Sequence, residues 1–239
     1  MRSSRSLVVE SLSVHLGEFD LRDVSLTVHP GTVVGLVGRN GSGKSTTLRI
    51  VADLVRPSCG SVRLGSLDHR RDEREFKQVV GFVGDNKNPY ASMRVQQVLD
   101  FAKSLYDHWD GALCRAMCDE LRLPLRTKIG HLSTGMHTKL GIILALSPHP
   151  EVLLLDEPSS GLDAASREWI WQTLTRAAST DGTGILLASH GRAEIAENCA
   201  SVVVLDDGRV AATLDLVPGS AEAREAVDSV MRGSEIYAD

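Results

Sequence analysis

The segment GRNGSGKS, residues Gly38–Ser45, constrains the fold of this chain more than any other stretch. It fits the pattern G-x-x-x-x-G-K-[ST], which cradles phosphate groups where a strand passes into a helix. The apolar run TVVGLV at 32–37 precedes it, and the helical pattern KSTTLRIVADL at 44–54 continues from it. A chance match in such a chain has odds of roughly one in a hundred, so the sequence predicts a strand, a phosphate-binding loop and a helix.

The residue types in this loop suit a bound nucleotide. Three glycines allow backbone N–H groups to turn toward phosphate oxygens, and the start of the following helix adds partial positive charge. Lys44 is expected to reach the β- and γ-phosphates, and the Ser45 hydroxyl is expected to bind Mg²⁺. The residues predicted to hold the nucleotide are Gly38, Arg39, Asn40, Gly41, Ser42, Gly43, Lys44, Ser45 and Thr46.

A second motif, VLLLDEP at 152–158, ends an apolar strand in two adjacent carboxylates. Side chains alternate along a strand, so Asp156 and Glu157 are expected to face different ways. Asp156 is then placed to reach Mg²⁺, and Glu157 to polarise a water that attacks the γ-phosphate. Beside a phosphate-binding loop, this pair predicts a nucleotide-hydrolysing site.

Composition narrows the possible partners. The net charge is −5 and aromatic residues make up 4% of the chain, which argues against a dedicated nucleic-acid binder. The longest apolar runs, such as VLLL at 152–155, fall far short of the roughly 20 residues that span a bilayer. Neither a signal peptide nor a disulfide framework is expected, and a reducing cytoplasm suits the four scattered cysteines. Cys114 and Cys118 are predicted to be buried helix residues.

The pattern of hydrophobic residues predicts an α/β fold with an insertion. Several strands are apolar throughout, as expected for strands buried on both faces of a sheet. SLVVESLSVHL and DVSLTVHP alternate instead, and we expect them to pair as an antiparallel edge joined by GEFDLRD. From about 92 to 146 the chain has helical patterns and no convincing strand. We predict a core of 1–88 and 148–239 and a helical subdomain of 89–147 within one domain of 1–239.

The individual elements follow from these patterns. Strands are predicted at 32–37, 61–64, 79–83, 152–156, 184–189 and 201–206, with a hairpin at DDGRV leading into an edge strand. Helices are predicted at 44–54, 95–109, 111–123, 133–147 and 164–178, with a polar surface helix at 220–231.

A third motif decides between kinds of nucleotide-binding protein. HLSTGMHTKL, from His131, places Ser133, Thr134 and Gly135 at the start of an apolar helix, where a capping hydroxyl and bare backbone suit an anion. In this respect the chain resembles the ATP-binding-cassette (ABC) family, whose signature reads LSGGQ. The order of the phosphate loop, helical insertion, aspartate–glutamate strand, SSGLD at 159–163 and ILLASH ending in His190 also matches.

The resemblance implies a P-loop ABC ATPase core with an antiparallel β edge and an inserted α-helical subdomain. It further implies that two such domains meet head to tail, with ATP between the phosphate loop of one and Ser133–Gly135 of the other. Asp163 is then expected near the dimer seam. His190 is expected to contact the γ-phosphate and to help hold the water and Glu157.

Three positions depart from the family pattern. Leu16 falls where an aromatic residue usually stacks on adenine, and either Phe19 or His15 is a candidate substitute. Asp85, in GDNKNPY at 84–90, replaces a glutamine that reaches Mg²⁺, and Met136 replaces the glutamine of the signature. With the changes at Asp85 and Met136 taken together, the chain resembles the ATPases of ABC-2-type exporters, including those linked to antibiotic-peptide resistance.

The leading hypothesis is the cytoplasmic ATPase subunit of an exporter of a drug, peptide or lipid-like substrate, peripheral on the inner face of the membrane. It requires a separately encoded transmembrane permease and a homodimer or heterodimer partner, and no nucleic acid. The alternative is an ABC-type ATPase outside transport, in DNA repair or translation, but the insertion is too short for a long heptad coil. A GTPase would need Asn-Lys-x-Asp, which Pro89 interrupts.

Overall fold

The computed structural model describes residues 5–84 and 90–236. Its strands are β1 (Leu7–Leu16), β2 (Phe19–Val28), β3 (Val33–Val37), β4 (Cys59–Leu64), β5 (Leu67–Asp68), β6 (Val80–Val83), β7 (Val152–Asp156), β8 (Gly184–Ala188), β9 (Ser201–Asp206) and β10 (Arg209–Asp215). Its helices are α1 (Lys44–Val51), α2 (Glu73–Val79), α3 (Val95–Leu105), α4 (Gly111–Glu120), α5 (Thr134–Leu146), α6 (Ala164–Asp181), α7 (Arg192–Asn198) and α8 (Ala221–Ile236), with a 3₁₀ turn at Ile129–His131.

A six-stranded sheet in the order β10-β9-β3-β8-β7-β6 forms the centre of the molecule. β3, β6, β7, β8 and β9 pair in parallel, and only β10 is antiparallel to its neighbour. Every residue of β3, β7 and β8 is buried, which confirms the α/β fold predicted from the continuous apolar runs. Alternate residues of β7 enter two different cores, Val152 and Leu154 on one face and Leu153 and Leu155 on the other.

The antiparallel strands near the N-terminus form a second sheet, in the order β2-β1-β4-β5. The predicted pairing of β1 with β2 is confirmed, but the joint is shorter than GEFDLRD, because only Gly17 and Glu18 separate the two strands. The strand predicted at 61–64 pairs with β1 and therefore belongs to this sheet. The second sheet shares a core with one face of the central sheet and with α1, and this packing places β2 beside the phosphate-binding loop.

The segment between β6 and β7 is helical, as predicted. Three predicted helix ends are too late, since α1 stops at Val51, α3 at Leu105 and α4 at Glu120, whereas α6 continues to Asp181, past its predicted end at 178. Just beyond two of these ends the backbone turns to positive φ, at Asp53 (56°) and Arg122 (48°), and a left-handed residue ends a helix. Cys114 and Cys118 are buried on α4, in agreement with the prediction.

The C-terminal helix is less polar than predicted. α8 runs from Ala221 to Ile236, and its residues Ala223, Val227 and Met231 are buried. Their spacing of four residues places them on one helix face, which packs against the same core as α5 and α6. The short helices α2 and α7 were not predicted, because seven residues are too few for a clear helical period. No helix among residues 5–84 and 90–236 has the length and hydrophobicity to cross a membrane.

Candidate active site

The phosphate-binding loop lies between β3 and α1, as the sequence predicted. Three of its glycines have positive φ, with Gly38 at 148°, Gly41 at 83° and Gly43 at 107°, which L-residues rarely adopt. Gly38 is also crowded, since a Cβ there would lie 2.1 Å from the carbonyl oxygen of Leu205 on β9. The conformation of the loop is therefore fixed by its own backbone and by close contact with the neighbouring strand β9.

Lys44 lies at the centre of this loop and is almost completely buried. Its Nζ donates hydrogen bonds to the carbonyl oxygens of Gly38 at 2.7 Å and Arg39 at 2.9 Å. Burial lowers the pKa of the Lys44 ammonium, and the carboxylates of Glu157 and Asp156 partly oppose this shift. The position suits a cation that neutralises phosphate charge, because nearby oxygen atoms partly offset the cost of its burial.

Ser45 and Asp156 lie together at the carboxyl edge of the central sheet. The Ser45 Oγ donates to Oδ1 of Asp156 at 2.9 Å, and Asp156 ends the buried strand β7 with 9% of its surface exposed. A hydroxyl and a carboxylate are oxygen donors of the kind that Mg²⁺ takes, and Mg²⁺ commonly uses one or two carboxylates together with substrate phosphates. These two residues therefore fit the predicted metal. The third predicted metal ligand, Asp85, lies outside the described residues.

Glu157 and His190 meet just beyond this edge. The Nδ1 of His190 lies 2.7 Å from Oε2 of Glu157, since β7 and β8 are neighbours in the sheet and the two residues follow their ends. Glu157 has φ of 50°, and its backbone N–H donates to the carbonyl oxygen of Ala188 at 2.9 Å. This unusual backbone conformation turns Glu157 away from the direction that β7 would otherwise give it.

A cleft of about 400 Å³ opens in front of the loop. Leu16 and Phe19, on either side of the turn between β1 and β2, line the cleft together with Glu157. The other lining residues belong to the loop and α1: Asn40, Gly41, Gly43, Lys44, Ser45 and Thr46. His15 is not among the lining residues, and its Nδ1 lies 2.6 Å from Oδ1 of Asp20 on the exposed surface. Of the two aromatic candidates that the sequence left open, only Phe19 reaches the cleft.

The signature segment lies at the start of α5, and it does not line this cleft. The Ser133 Oγ caps the helix by accepting from the N–H of Met136 at 3.3 Å, and both Ser133 and Thr134 are exposed. A Cβ on Gly135 would lie 3.4 Å from Cδ2 of Leu162, so the helix start packs against the segment that leads into α6. The serine and its neighbours thus present a capped helix end to solvent.

Asp163 is the N-cap of α6. Its Oδ1 accepts from the N–H of Ser166 at 2.8 Å, and its Oδ2 accepts from the Ser166 hydroxyl at 3.0 Å. These bonds lower the pKa of the Asp163 carboxyl, since they favour the charged form. Both carboxylate oxygens are engaged within one protomer, so capping accounts for the position of this side chain.

Comparison with known proteins decides the family. The family model described as "ABC transporter" matches residues 21–160, which is more than half of the chain. The chain belongs to the ABC transporter ATP-binding family. This membership supports the ABC ATPase fold, the nucleotide binding and the ATPase activity that the sequence resemblance implies.

Two relatives illustrate the similarity of this chain to other members of the family. The chain is 35% identical to the ABC transporter ATP-binding protein NatA of Bacillus subtilis, covering 80% of this chain and 79% of NatA. It is also 35% identical to the Nod factor export ATP-binding protein I of Burkholderia pseudomallei, covering 87% of this chain and 66% of that protein.

Among solved structures, the ATP-binding subunit of an ABC transporter is 26% identical, with a TM-score of 0.81, and covers 93% of this chain and 99% of its own. A dimeric ATP-binding cassette in a post-hydrolysis state, bound to ADP and Pi, is 25% identical with a TM-score of 0.75, covering 88% and 99%.

One contact in this ABC ATPase was not foreseen from the sequence. The Ser159 hydroxyl, in the loop that follows β7, donates to Oε2 of Glu194 in the first turn of α7 at 2.6 Å. The only sequence signal was Glu194 three residues after Gly191, a spacing typical of a helix start. This spacing does not identify Ser159 as the partner of Glu194, because the two residues are 35 positions apart along the chain.

Proposed function

We propose that this ABC ATPase hydrolyses ATP at the Glu157–His190 pair, as a dimer that drives a separate membrane permease. The observation that carries the proposal is the 2.7 Å approach of His190 to Glu157. Glu157 lines the same cleft as Lys44 and Ser45, so a general base stands across from the phosphate-binding loop. A base held in place by a second side chain is the arrangement that general-base catalysis needs.

The residues of the phosphate-binding loop and of the adjoining strand ends each have a proposed part in this reaction. The N–H groups of Gly38–Thr46 and the Lys44 ammonium bind the β- and γ-phosphates and neutralise their charge. Ser45 and Asp156 would hold Mg²⁺, which would supply positive charge to stabilise the phosphate groups. Glu157 accepts a proton from the attacking water, and His190 orients Glu157 and contacts the γ-phosphate. ADP and phosphate are the products.

Phe19 and Leu16 are proposed to cover the adenine ring. Both line the cleft, and 43% of Leu16 is exposed, so its side chain is accessible to a base. An aliphatic side chain covers one face of a purine by burying apolar area, but it lacks the stacking that an aromatic ring adds. We therefore expect modest selectivity between adenine and guanine.

A second protomer is proposed to complete the site. Ser133 and Thr134 are exposed at the start of α5, away from the cleft, where a hydroxyl and helix N–H groups suit the γ-phosphate of another copy. Asp163 would then stand near the seam between protomers. The dimeric post-hydrolysis cassette bound to ADP and Pi, to which this chain is similar, supports such an assembly.

The permease is proposed to dock on the helical subdomain, whose bounds we place at 89–147 between core segments 1–88 and 148–239. Phe101 and Leu105 lie one turn apart on α3 and are 41% and 56% exposed. Tyr90 packs on Phe101 with ring centroids 5.7 Å apart. Exposed apolar side chains in a group mark an interaction surface. The chain would thus sit at the inner face of the membrane through its permease.

Export is the proposed direction of transport, for a drug, peptide or lipid-like substrate. The similarity to a protein named for Nod factor export supports this direction. The role of Asp85 in sensing Mg²⁺ stays a prediction, which Asp85→Gln tests through the Mg²⁺ dependence of hydrolysis.

The catalytic proposal is tested with Glu157→Gln, which keeps the shape of the side chain and removes the base. Purified Glu157→Gln protein should bind ATP as tightly as wild type but hydrolyse it at least about a hundredfold more slowly, within the range for loss of a general base. It should also form a stable dimer with ATP on size-exclusion chromatography. Glu168→Gln, at an exposed position on α6, is the matched control and should match wild type.

Hydrolysis by Glu157→Gln at the wild-type rate would refute the catalytic assignment. The transport part is tested separately, by co-expressing the chain with the membrane protein encoded beside its gene. The chain should then fractionate with membranes, and Phe101→Asp together with Leu105→Asp should release it. Membrane association that survives both substitutions would refute the docking surface.

A further inference from the structure

The loop that follows β7 is joined by two side-chain contacts to the segment that follows β8, which consists of a short loop and the start of α7. The first is the 2.7 Å contact between Glu157 and His190. The second lies two residues further along the β7 loop, where the buried Ser159 donates to Oε2 of Glu194 at 2.6 Å. Two contacts between the same two segments restrain both their separation and their relative rotation, whereas one contact restrains only the separation.

Gly191 makes room for the second contact. A Cβ at this position would lie 2.9 Å from Oε2 of Glu194, so a residue with a side chain here would make the end of the Glu194 side chain shift slightly. The N–H of Gly191 donates to the Ser189 hydroxyl at 3.0 Å, which fixes the start of α7 directly after His190. α7 is anchored in turn by Ile195, which is fully buried. Glu194 therefore projects from a rigid support.

The backbone of Glu157 needs such a restraint. Its φ of 50° is unfavourable for a residue with a side chain, and strained conformations persist only where the surroundings hold them. The N–H of Ser160 donates to the Glu157 carbonyl oxygen at 3.2 Å, which closes a turn around Ser159. Through this turn, a bond at Ser159 acts on the orientation of Glu157.

We propose that Ser159 and Glu194 are positioning residues for ATP hydrolysis. Their hydrogen bond holds the β7 loop against the start of α7, and it thereby sets the distance and angle between Glu157 and His190. This inference rests on the proposed roles of Glu157 and His190. Ser159 and Glu194 do not line the cleft in front of the phosphate-binding loop, so they act on the rate of the chemical step without binding ATP.

The test is a double-mutant cycle on the purified protein. Ser159→Ala and Glu194→Ala should each lower kcat about tenfold, because small misplacements of a catalytic group slow the reaction strongly. The KM for ATP should stay within about twofold, because the phosphate-binding loop is unchanged. The double variant should be no slower than the singles, since both remove one shared interaction.

Conservative variants and a control separate positioning from simple stability. Ser159→Thr keeps the donor and should recover most of kcat, and Glu194→Gln keeps an oxygen acceptor and should fall between wild type and Glu194→Ala. Glu197→Ala is the matched control, since Glu197 lies on α7 and pairs with Arg224 at 3.6 Å on the surface. It should retain wild-type kcat, because exposed ion pairs contribute little. Thermal unfolding establishes that each variant is folded.

Three results would overturn the proposal. The first is a wild-type kcat in Ser159→Ala when Glu157→Gln is inactive. This result would leave the proposed function intact. Another is a multiplicative loss in the double variant, about a hundredfold, which indicates independent structural effects. The third is an equal loss in Ser159→Thr and Ser159→Ala. Activity in Glu157→Gln, by contrast, refutes the proposed function itself, so the two failures are distinguishable.

Discussion

Replacing Gly38 by alanine should damage the phosphate-binding loop far more than the same replacement at Gly41. Both residues have positive φ, at 148° and 83°, and an L-residue pays about 1–2 kcal/mol for such a backbone. Only Gly38 has a steric cost as well. Its added Cβ would lie 2.1 Å from the Leu205 carbonyl oxygen and 2.6 Å from the Ser42 hydroxyl, whereas no atom of the described residues would lie within 4 Å of a Cβ at Gly41.

The size of the difference follows from these contacts. Real Cβ atoms stay at least 3.0 Å from a neighbouring atom, so Gly38→Ala must shift the loop or β9 by about 1 Å. A misplacement of this size near reacting atoms costs about a hundredfold in rate. We therefore expect kcat/KM for ATP to be at least about tenfold lower in Gly38→Ala than in Gly41→Ala. Gly43→Ala should fall between them, because its nearest contact, at 2.7 Å, is a movable Leu21 methyl group.

The assay is steady-state ATP hydrolysis, with direct ATP binding measured by calorimetry. Circular dichroism melting of each variant shows whether the protein is folded at the assay temperature. Equal losses in Gly38→Ala and Gly41→Ala would mean that backbone conformation alone controls the loop. The steric argument from Leu205 would then be wrong.

Three further predictions concern buried or lining side chains. Burial lowers the pKa of His69, which is 1% exposed and whose Nε2 has no hydrogen-bond partner within residues 5–84 and 90–236. The unfolded chain therefore binds a proton more readily as pH falls below about 6.5, so the urea midpoint of wild type should drop between pH 7 and 5 more than that of His69→Gln. Leu16→Tyr should lower the Kd for ATP about threefold to tenfold by calorimetry, because a stacked ring adds about 0.5–1.5 kcal/mol; an unchanged Kd would argue against Leu16 as an adenine contact. Thr183→Val should destabilise the protein by about 1–3 kcal/mol in urea unfolding, since it strands the buried carbonyl oxygen of Pro150 that Thr183 Oγ1 now satisfies at 3.0 Å; a smaller effect would indicate that another donor takes its place.

Local patterns predicted the elements whose structure depends on neighbouring residues. The phosphate-binding loop, β7 and the helices between 95 and 146 were all identified, because glycine conformation, apolar runs and helical periodicity are properties of short segments. The same reasoning placed Asp156 and Glu157 at the end of a strand. It missed α2 and α7, which have seven residues each, and it described α8 as a surface helix although Val227 is buried.

Helix and strand ends were the weaker part of the prediction. The apolar and helical patterns of 44–54 and 95–109 continue past the true ends at Val51 and Leu105. What stops these helices is a local backbone change, such as the extended conformation of Tyr106. Hydrophobic pattern carries little information about such a change, since it records which residues are apolar and not their backbone conformation.

The sequence by itself determined that this chain binds a nucleotide and has a carboxylate pair at the end of a buried strand, because both depend on contiguous residues. The tertiary structure decided which side chains meet. Ser45 reaches Asp156 across 111 residues, and Ser159 reaches Glu194 across 35. Both contacts arise because the parallel sheet orders β3, β8 and β7 side by side, with their carboxyl ends at one edge. Strand order is set by the packing of the whole core, and so no single segment encodes it.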